Sequence, residues 1–181
     1  MKIVIVGGGA AGMMAAGVAS QAGGKVVLLE KNDRLGKKLL ITGKGRCNVT
    51  NDCSGQEVLQ NTPRNGKFLY SAMHAFPPEK AMAFFEENGC ALKIERGNRV
   101  FPVTDKAISV LDCLKNQMKR SGVTVQTATV KEILHEDGQV TGVRTAQEEI
   151  RSNWVILATG GASYPLTGST GDGYIMAEKL G

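Results

Sequence analysis

Apolar residues run unbroken from Ile3 to Val6 and again from Val26 to Leu29, with a stretch of small and apolar residues, Ala10 to Gln21, between them. Each run is too short for a helix and β-branched enough for a buried strand, and the stretch between suits a helix packed closely on a sheet. The three together predict a βαβ unit with a parallel strand pair. Further along, Lys67 to Ala75 and Pro78 to Asn88 read as helices. The second starts after Pro77, stops at Gly89 and turns Ala81, Met82, Phe84 and Phe85 toward a core. Between them and the first unit, Cys53 to Asn65 is polar and reads as an exposed connection. Ala91 to Glu95 and Arg99 to Pro102 predict a hairpin turning at Gly97-Asn98. A helix capped by Thr104 or Asp105 then runs to about Ser121. Val123 to Thr129 alternates like a strand, and Val130 to Leu134 with Val140 to Arg144, joined through Asp137-Gly138, predicts a β-meander whose third strand begins at Glu149-Ile150. Trp154 to Ala158 reads as a buried strand.

Glycine changes the picture at the first turn. Gly7, Gly9 and Gly12 stand at the spacing G-x-G-x-x-G, between a strand and a helix. In that setting the first glycine makes the tight turn, the second lets backbone approach a pyrophosphate, and the third lets helix and strand pack closely. The unpaired N–H groups and positive dipole end of the helix stabilise the anion without a basic side chain. Glu30 ends the second strand, where a carboxylate accepts from a ribose diol and repels a 2′-phosphate. Strand, glycines, helix, strand and terminal acid in one window predict a dinucleotide site. The fold class these elements predict is α/β, a Rossmann-like dinucleotide-binding fold with a parallel sheet and a β-meander. A secretory signal is the competing reading of the first twenty-odd residues, but glycine interrupts the apolar run after Val6 and cleavage would remove a strand the unit needs.

The chain has 181 residues, enough for one domain with a normal core. No segment approaches the ~18 continuous apolar residues of a membrane span, and no membrane partner is expected. Cys47, Cys53, Cys90 and Cys113 form no C-x-x-C pair, which fits reduced thiols in a cytoplasmic protein and calls for no metal. Net charge is +5, a mild excess that is no nucleic-acid signature by itself. The excess is local: Lys31, Arg34, Lys37, Lys38, Lys44 and Arg46 are opposed only by Asp33. A solvated loop with some side chains near a cofactor diphosphate, a contact to substrate phosphate or RNA, and a partner surface all fit that pattern.

The connection from Asn32 to Asn51 is rich in glycine and lysine, and Thr42-Gly43-Lys44-Gly45-Arg46-Cys47-Asn48 at its centre has the makings of a second ligand-facing loop. Arg46 can fork onto phosphate, and Asn48 can donate and accept at a heterocycle edge. Thr159-Gly160-Gly161 and Thr167 to Gly173 share this composition. Several glycine-rich loops suit one extended ligand contacted repeatedly.

With these loops in hand, the chain resembles the bacterial HI0933-like flavoproteins. The likeness is carried by GGGAAG with Glu30-Lys31, by GKKLLITGKGRCNVTN, by RVFPVTDKA and by ATGGASYPLTGSTGDGY. The last also looks like loops of the fumarate reductase and succinate dehydrogenase flavoproteins. The resemblance implies FAD bound non-covalently in an extended pose. It would place Gly7, Gly9, Ala11 and Gly12 at the diphosphate, Glu30 on the adenosine ribose with Lys31 beside it, and Lys38, Gly45, Arg46 and Asn48 along the stretch toward the flavin. By the same likeness Val130 would pair with adenine through its backbone, Thr159, Gly160 and Gly161 would close over the cofactor, and Asp172 would contribute. It also implies that residues 1–181 are the amino-terminal portion of a longer FAD-binding protein, without its substrate domain and returning segment.

The activity so implied is that of an FAD-dependent oxidoreductase that takes electrons from NAD(P)H and reduces a C=C bond of a small molecule or of a uracil base in ribosomal RNA. An oxygen-using amine or aminoketone oxidase, an NAD-only dehydrogenase and an inactive nucleotide-binding fragment are the alternatives. No catalytic side chain is assigned. His74 reads as structural or exposed, His135 as an exposed turn residue, and Cys47 beside Arg46 lacks the second thiol of a disulfide reductase. The oligomeric state is not specified.

Overall fold

The β-branched run after Lys2 forms strand β1 (Lys2–Val6) in the computed structural model, which describes residues Met1–Gly181. In chain order there follow α1 (Ala10–Gln21), β2 (Lys25–Glu30), α2 (Lys37–Ile41), β3 (Thr50–Asn51), α3 (Gly55–Gln60), α4 (Tyr70–Ala75), α5 (Pro78–Glu87), β4 (Leu92–Glu95) and β5 (Arg99–Pro102). Then come α6 (Ala107–Arg120), β6 (Thr124–Thr127), β7 (Val130–Glu136), β8 (Gln139–Thr145), β9 (Glu149–Arg151), β10 (Trp154–Leu157) and α7 (Asp172–Glu178). The chain divides into two compact units, Met1–Leu39 with Leu114–Gly181, and Leu40–Cys113.

The first unit is built on a parallel sheet of order β10-β1-β2-β6. Ile3 lies opposite Val26 on one side and Trp154 on the other. From β1 the chain crosses to β2 on one flank, while β10 returns on the other, so the strand order reverses between β1 and β10. In open α/β sheets ligands bind at the carboxyl ends of the strands at such a reversal. One face of the sheet packs on the antiparallel meander β7-β8-β9: Val4, Val6 and Leu29 join Ile133, Val143 and Ile150 in one buried cluster with Met176 of α7. Alternation turns Ile3 and Ile5, both buried, to the opposite face.

The outer strands depart from expectation. Trp154 to Ala158 reads as a buried strand, yet Trp154 is 61% and Ile156 36% exposed. The reason is position: β10 is an edge, paired only with β1, and only its alternate residues Val155 and Leu157 reach the cluster beneath the meander. The opposite edge, β6, is exposed throughout and shorter than its alternating pattern suggests.

The second unit carries the antiparallel sheet β3-β5-β4. Its hairpin turns through Gly97 and Asn98, both at positive φ, as their residue types require. Val100, Phe101 and Pro102 are buried, and Phe85 of α5 is buried beside Phe84 in an edge-to-face pair with centroids 5.2 Å apart. Two expectations are corrected here. The polar stretch after Cys53 contains α3, started by a capping box: the Glu57 N–H donates to Ser54 Oγ at 3.2 Å and the Ser54 N–H donates to Glu57 Oε2 at 2.8 Å. The helix expected over Lys67 to Ala75 is a 3₁₀ turn, Gly66–Leu69, followed by α4. Asn65 just before it adopts the left-handed conformation, which fixes where that turn begins.

One buried residue of the first unit is poorly served. Gln117 on α6 is 1% exposed, and neither its Oε1 nor its Nε2 has a hydrogen-bond partner. It lies on Gly17 of α1, where an added Cβ would collide with the Gln117 amide. A buried amide left unpaired costs about 1–3 kcal/mol. Gln117→Met, similar in volume and apolar, is expected to raise the unfolding free energy by about 1 kcal/mol in urea titration. An unchanged or lower midpoint would show that the amide is satisfied in solution.

Candidate functional site

The glycine loop sits at the carboxyl end of β1, and its glycines meet three different constraints. Gly7 has φ +109, and a Cβ there would come within 2.7 Å of the Ala158 carbonyl carbon at the end of β10. Gly12, in the first turn of α1, has no room for a Cβ, which would strike the Gly7 carbonyl oxygen and lie 3.3 Å from the Ala158 Cβ. Gly9 is different. It precedes α1 with ordinary extended backbone, φ −78 and ψ −174, and nothing lies within 4 Å of where its Cβ would be. The protein itself does not demand glycine at that position, and the open space lies at the start of α1. No side chain caps that end and no acidic residue occupies its first turn, so its N–H groups are left for an anion. Ala11 is exposed on the same turn.

Glu30 ends β2 and is 8% exposed. Its Oε2 accepts from the Gly8 N–H at 2.6 Å, and its Oε1 accepts from the Asn32 N–H at 2.8 Å and from Asn32 Nδ2 at 2.6 Å. The carboxylate therefore holds the glycine loop to the turn that follows β2. Gly8 and Asn32 are partners of Glu30 that the motif does not announce. A Cβ on Gly8 would collide with the Leu35 side chain and lie 3.1 Å from Glu30 Oε2. The only sequence signal for Gly8 is its place as the middle one of three consecutive glycines.

Lys31, next in the chain after Glu30, does not project freely. Its Nζ donates to Asp172 Oδ2 at 2.6 Å and to Thr170 Oγ1 at 2.7 Å, and Thr170 Oγ1 lies 2.7 Å from Asp172 Oδ1. Lys38 Nζ donates to the carbonyl of Ser163 at 3.1 Å and to its hydroxyl at 2.7 Å, and lies 5.6 Å from the centroid of the Tyr164 ring. Both lysines thus reach the segment after β10, the segment that contains Thr159, Gly160 and Gly161. Gly160 has φ +75, and the Thr159 side chain packs where a Cβ on Gly173 would fall. Val130 opens β7, buried, opposite Thr145. Of the residues singled out by sequence, Gly7, Gly9, Ala11, Gly12, Glu30, Lys31, Lys38, Val130, Thr159, Gly160, Gly161 and Asp172 all belong to the first unit.

The hydrogen bond from Lys31, reinforced by Thr170, holds the Asp172 carboxyl below its ordinary range. A carboxylate depressed in the fold stabilises it above the unfolded-state value and loses that contribution as pH falls through the folded one. The segment from Ser163 to Asp172 should therefore loosen as pH drops below about 4. Pepsin cleavage at the exposed Tyr164 or Leu166 reads this out across that range. Asp172→Asn should already be cleaved quickly at the upper end of that range, and equal rates for the two proteins there would refute the role of the pair.

Gly45, Arg46 and Asn48 lie in the second unit. Gly43, Lys44, Gly45 and Cys47 all have positive φ, so this loop is tightly wound. Arg46 is engaged by carboxylates: its guanidinium pairs with Glu95 and with Asp105 and lies 4.2 Å from the centroid of Phe101. Lys93 donates to the same Asp105 at 2.5 Å. With its nitrogen turned toward them, the Asn48 amide donates to the carbonyls of Thr50 and Val100 at 3.1 and 3.2 Å. Arg46 spends its charge on Glu95 and Asp105, and burial pushes the Cys47 thiol up, so the neighbouring arginine does not make a thiolate there. In the basic stretch, Lys31, Lys37, Lys38 and Arg46 all have partners within their own units; Lys37 pairs with Asp33 at 2.8 Å.

The family model described as the HI0933-like protein Rossmann domain matches residues 1–181, the whole chain. The chain belongs to the HI0933-like family. That family is one of FAD-binding oxidoreductases. This HI0933-like domain is 33% identical over 182 residues to a 3-dehydro-bile acid delta(4,6)-reductase of Clostridium scindens, a match that covers 99% of the chain and 44% of that protein. It is 30% identical over 180 residues to a ribosomal RNA dihydrouridine synthase of Escherichia coli, covering 98% of the chain and 44% of that protein. Among solved structures it resembles a flavocytochrome c3 fumarate reductase, with TM-score 0.76 at 21% identity over 99% of this chain and 40% of that one. It also resembles a 3-ketosteroid-delta4-(5alpha)-dehydrogenase from Rhodococcus jostii RHA1, with TM-score 0.73 at 16% identity over 99% and 53%. At those identities the likeness to the two structures is one of fold. The chain spans less than half the length of the two curated relatives. No helix of the structure is long and apolar enough to cross a membrane.

Proposed function

We propose that residues 1–181 form the FAD-binding part of an oxidoreductase that reduces a carbon–carbon double bond, with NAD(P)H as its reductant. The observation that carries the reading is the vacant space at Gly9, beside an uncapped helix start, in a loop whose other glycines are all crowded by protein. A protein that needed glycine there for its own packing would fill that space; a diphosphate needs it open. Gly9 and Ala11 would present backbone to the diphosphate, and Glu30 would take the ribose diol. Val130 would meet adenine through its backbone, and Thr159 to Gly161 would close over the ligand. Lys31, Lys38 and Asp172 would act by holding the segment from Ser163 to Asp172 rather than by touching phosphate. When bound, FAD supplies the two-electron redox chemistry, and the protein supplies orientation and exclusion of water.

The relatives named above support the substrate class. The two curated relatives, a 3-dehydro-bile acid delta(4,6)-reductase and a ribosomal RNA dihydrouridine synthase, are named for saturating a carbon–carbon double bond conjugated with a carbonyl group. A conjugated double bond of that kind accepts hydride at the carbon remote from the electron-withdrawing group. A small conjugated molecule is the favoured acceptor here over RNA, because Lys31, Lys37, Lys38 and Arg46 of the basic stretch are already engaged by groups of this chain.

The test is spectroscopic. Purified protein supplemented with FAD should absorb near about 450 nm after desalting, bleach anaerobically with NAD(P)H, and recover its colour on adding a conjugated enone. Protein that stays colourless would end the FAD reading for this chain. Bleaching by an amine with release of peroxide would replace the reductase with an oxidase, and recovery only with a uracil-containing RNA would move the acceptor to RNA.

A further inference from the structure

Asn32 stands at a junction that neither the glycine motif nor the acidic strand end explains. Its amide nitrogen has two hydrogens. One goes to Glu30 Oε1 at 2.6 Å and the other to the carbonyl of Thr167 at 3.3 Å. Lys37 Nζ faces its amide oxygen at 3.4 Å, which fixes which end of the amide points inward. The backbone of the next residue in that segment presses on the same group: a Cβ on Gly168 would come within 2.5 Å of Asn32 Nδ2. Asn32 thus joins the carboxylate that holds the glycine loop to the turn Pro165–Thr167, whose Thr167 is 135 residues on in sequence but adjacent in space. Its neighbour Lys31 ties down the far end of the same segment through Thr170 and Asp172.

From this geometry we infer that Asn32 is a positioning residue that couples occupancy of the ribose position at Glu30 to the order of the segment Ser163 to Asp172. The inference rests on the dinucleotide reading of the glycine loop. A ribose diol donating to Glu30 fixes that carboxylate and with it the Asn32 amide. The second amide hydrogen then holds the Thr167 carbonyl, while Lys31 holds the end at Asp172. The adenosine end of the ligand thereby sets the segment that follows Thr159, Gly160 and Gly161, the residues placed to close over the rest of the cofactor. Asn32 itself makes no contact with the reacting atoms.

ADP is the probe, since it offers the adenosine ribose and the diphosphate and nothing beyond them. In the unmodified protein, saturating ADP should slow amide exchange across residues 163–172 by about tenfold, within the usual span of coupling between sites. Asn32→Asp keeps the side-chain size but removes both donors and sets a second carboxylate against Glu30. Asn32→Ala removes the donors without adding charge and covers the case in which the charged variant folds poorly. Both are expected to bind ADP and protect the glycine loop while residues 163–172 exchange as they do without ligand. Equal protection of that segment in variant and unmodified protein would overturn the coupling, as would ADP that binds the unmodified protein and leaves the segment unprotected. Loss of ADP binding in both variants would also overturn it, by making Asn32 a binding residue. If ADP fails to bind the unmodified protein, the dinucleotide reading itself falls, a result distinct from the others.

Discussion

Gly9→Ala is expected to weaken FAD binding sharply while leaving the fold intact, whereas Gly12→Ala is expected to destabilise the fold itself. At Gly9 the backbone is already in a region open to alanine, and no protein atom lies within 4 Å of the added methyl. Replacing glycine by alanine at a helix start then costs at most about 1 kcal/mol. The methyl occupies the space through which a diphosphate must approach the first N–H groups of α1, so FAD affinity should fall by at least about a hundredfold, a loss near 2.7 kcal/mol. At Gly12 the methyl meets the Gly7 carbonyl oxygen, which cannot move without displacing the turn between β1 and α1. Overpacking of that kind costs about 1–3 kcal/mol or more and should lower the urea midpoint directly. Flavin fluorescence titration beside urea unfolding separates the two. A Gly9→Ala protein that binds FAD like the unmodified chain would show that no ligand approaches there.

How far this could be read from the sequence depended on how local each cause was. Gly7 and Gly12 are constrained by the turn and the helix they adjoin, and their spacing announces both. The meander was legible because Val130 to Leu134 and Val140 to Arg144 alternate about an Asp-Gly turn, a signal contained within the hairpin. The Ser54 to Glu57 capping box is also local, but the surrounding composition is polar and its six-residue helix buries nothing fully, so no apolar periodicity marks it.

Other features have causes that lie far along the chain. The exposure of Trp154 and Ile156 follows from β10 being an edge, and an apolar run reads the same at an edge as at the centre of a sheet. The partners of the basic stretch are likewise remote: Lys31 finds Asp172, Lys38 finds Ser163, and Arg46 finds Glu95 and Asp105. A cluster of positive charge in sequence says where the ammonium groups begin, not which carboxylates meet them. Gly8 and Asn32 were invisible for the same reason, because their importance is created by the Glu30 side chain folding back between them.

Glu30→Gln should be the second severe substitution, although it changes one atom. The carboxylate is an acceptor at both oxygens, and three N–H groups point at it, from Gly8, from the Asn32 backbone and from the Asn32 side chain. A glutamine presents one acceptor and one NH2. With its oxygen toward Asn32, the NH2 faces the Gly8 N–H donor to donor; reversed, it faces two donors on Asn32. Either way a buried N–H loses a charge-assisted partner, a loss of about 1.5–3 kcal/mol per bond. The glycine loop is released at Gly8, so the disturbance reaches the diphosphate position as well as the ribose. The unfolding free energy should fall by about 2–4 kcal/mol, and FAD affinity should fall with it. ADP affinity should drop by a similar factor, because the damage is at the adenosine end. A stable Glu30→Gln protein with unaltered affinity for both ligands would mean that the carboxylate neither holds the loop nor meets the ribose. Stability lost with affinity kept would leave it the structural role alone.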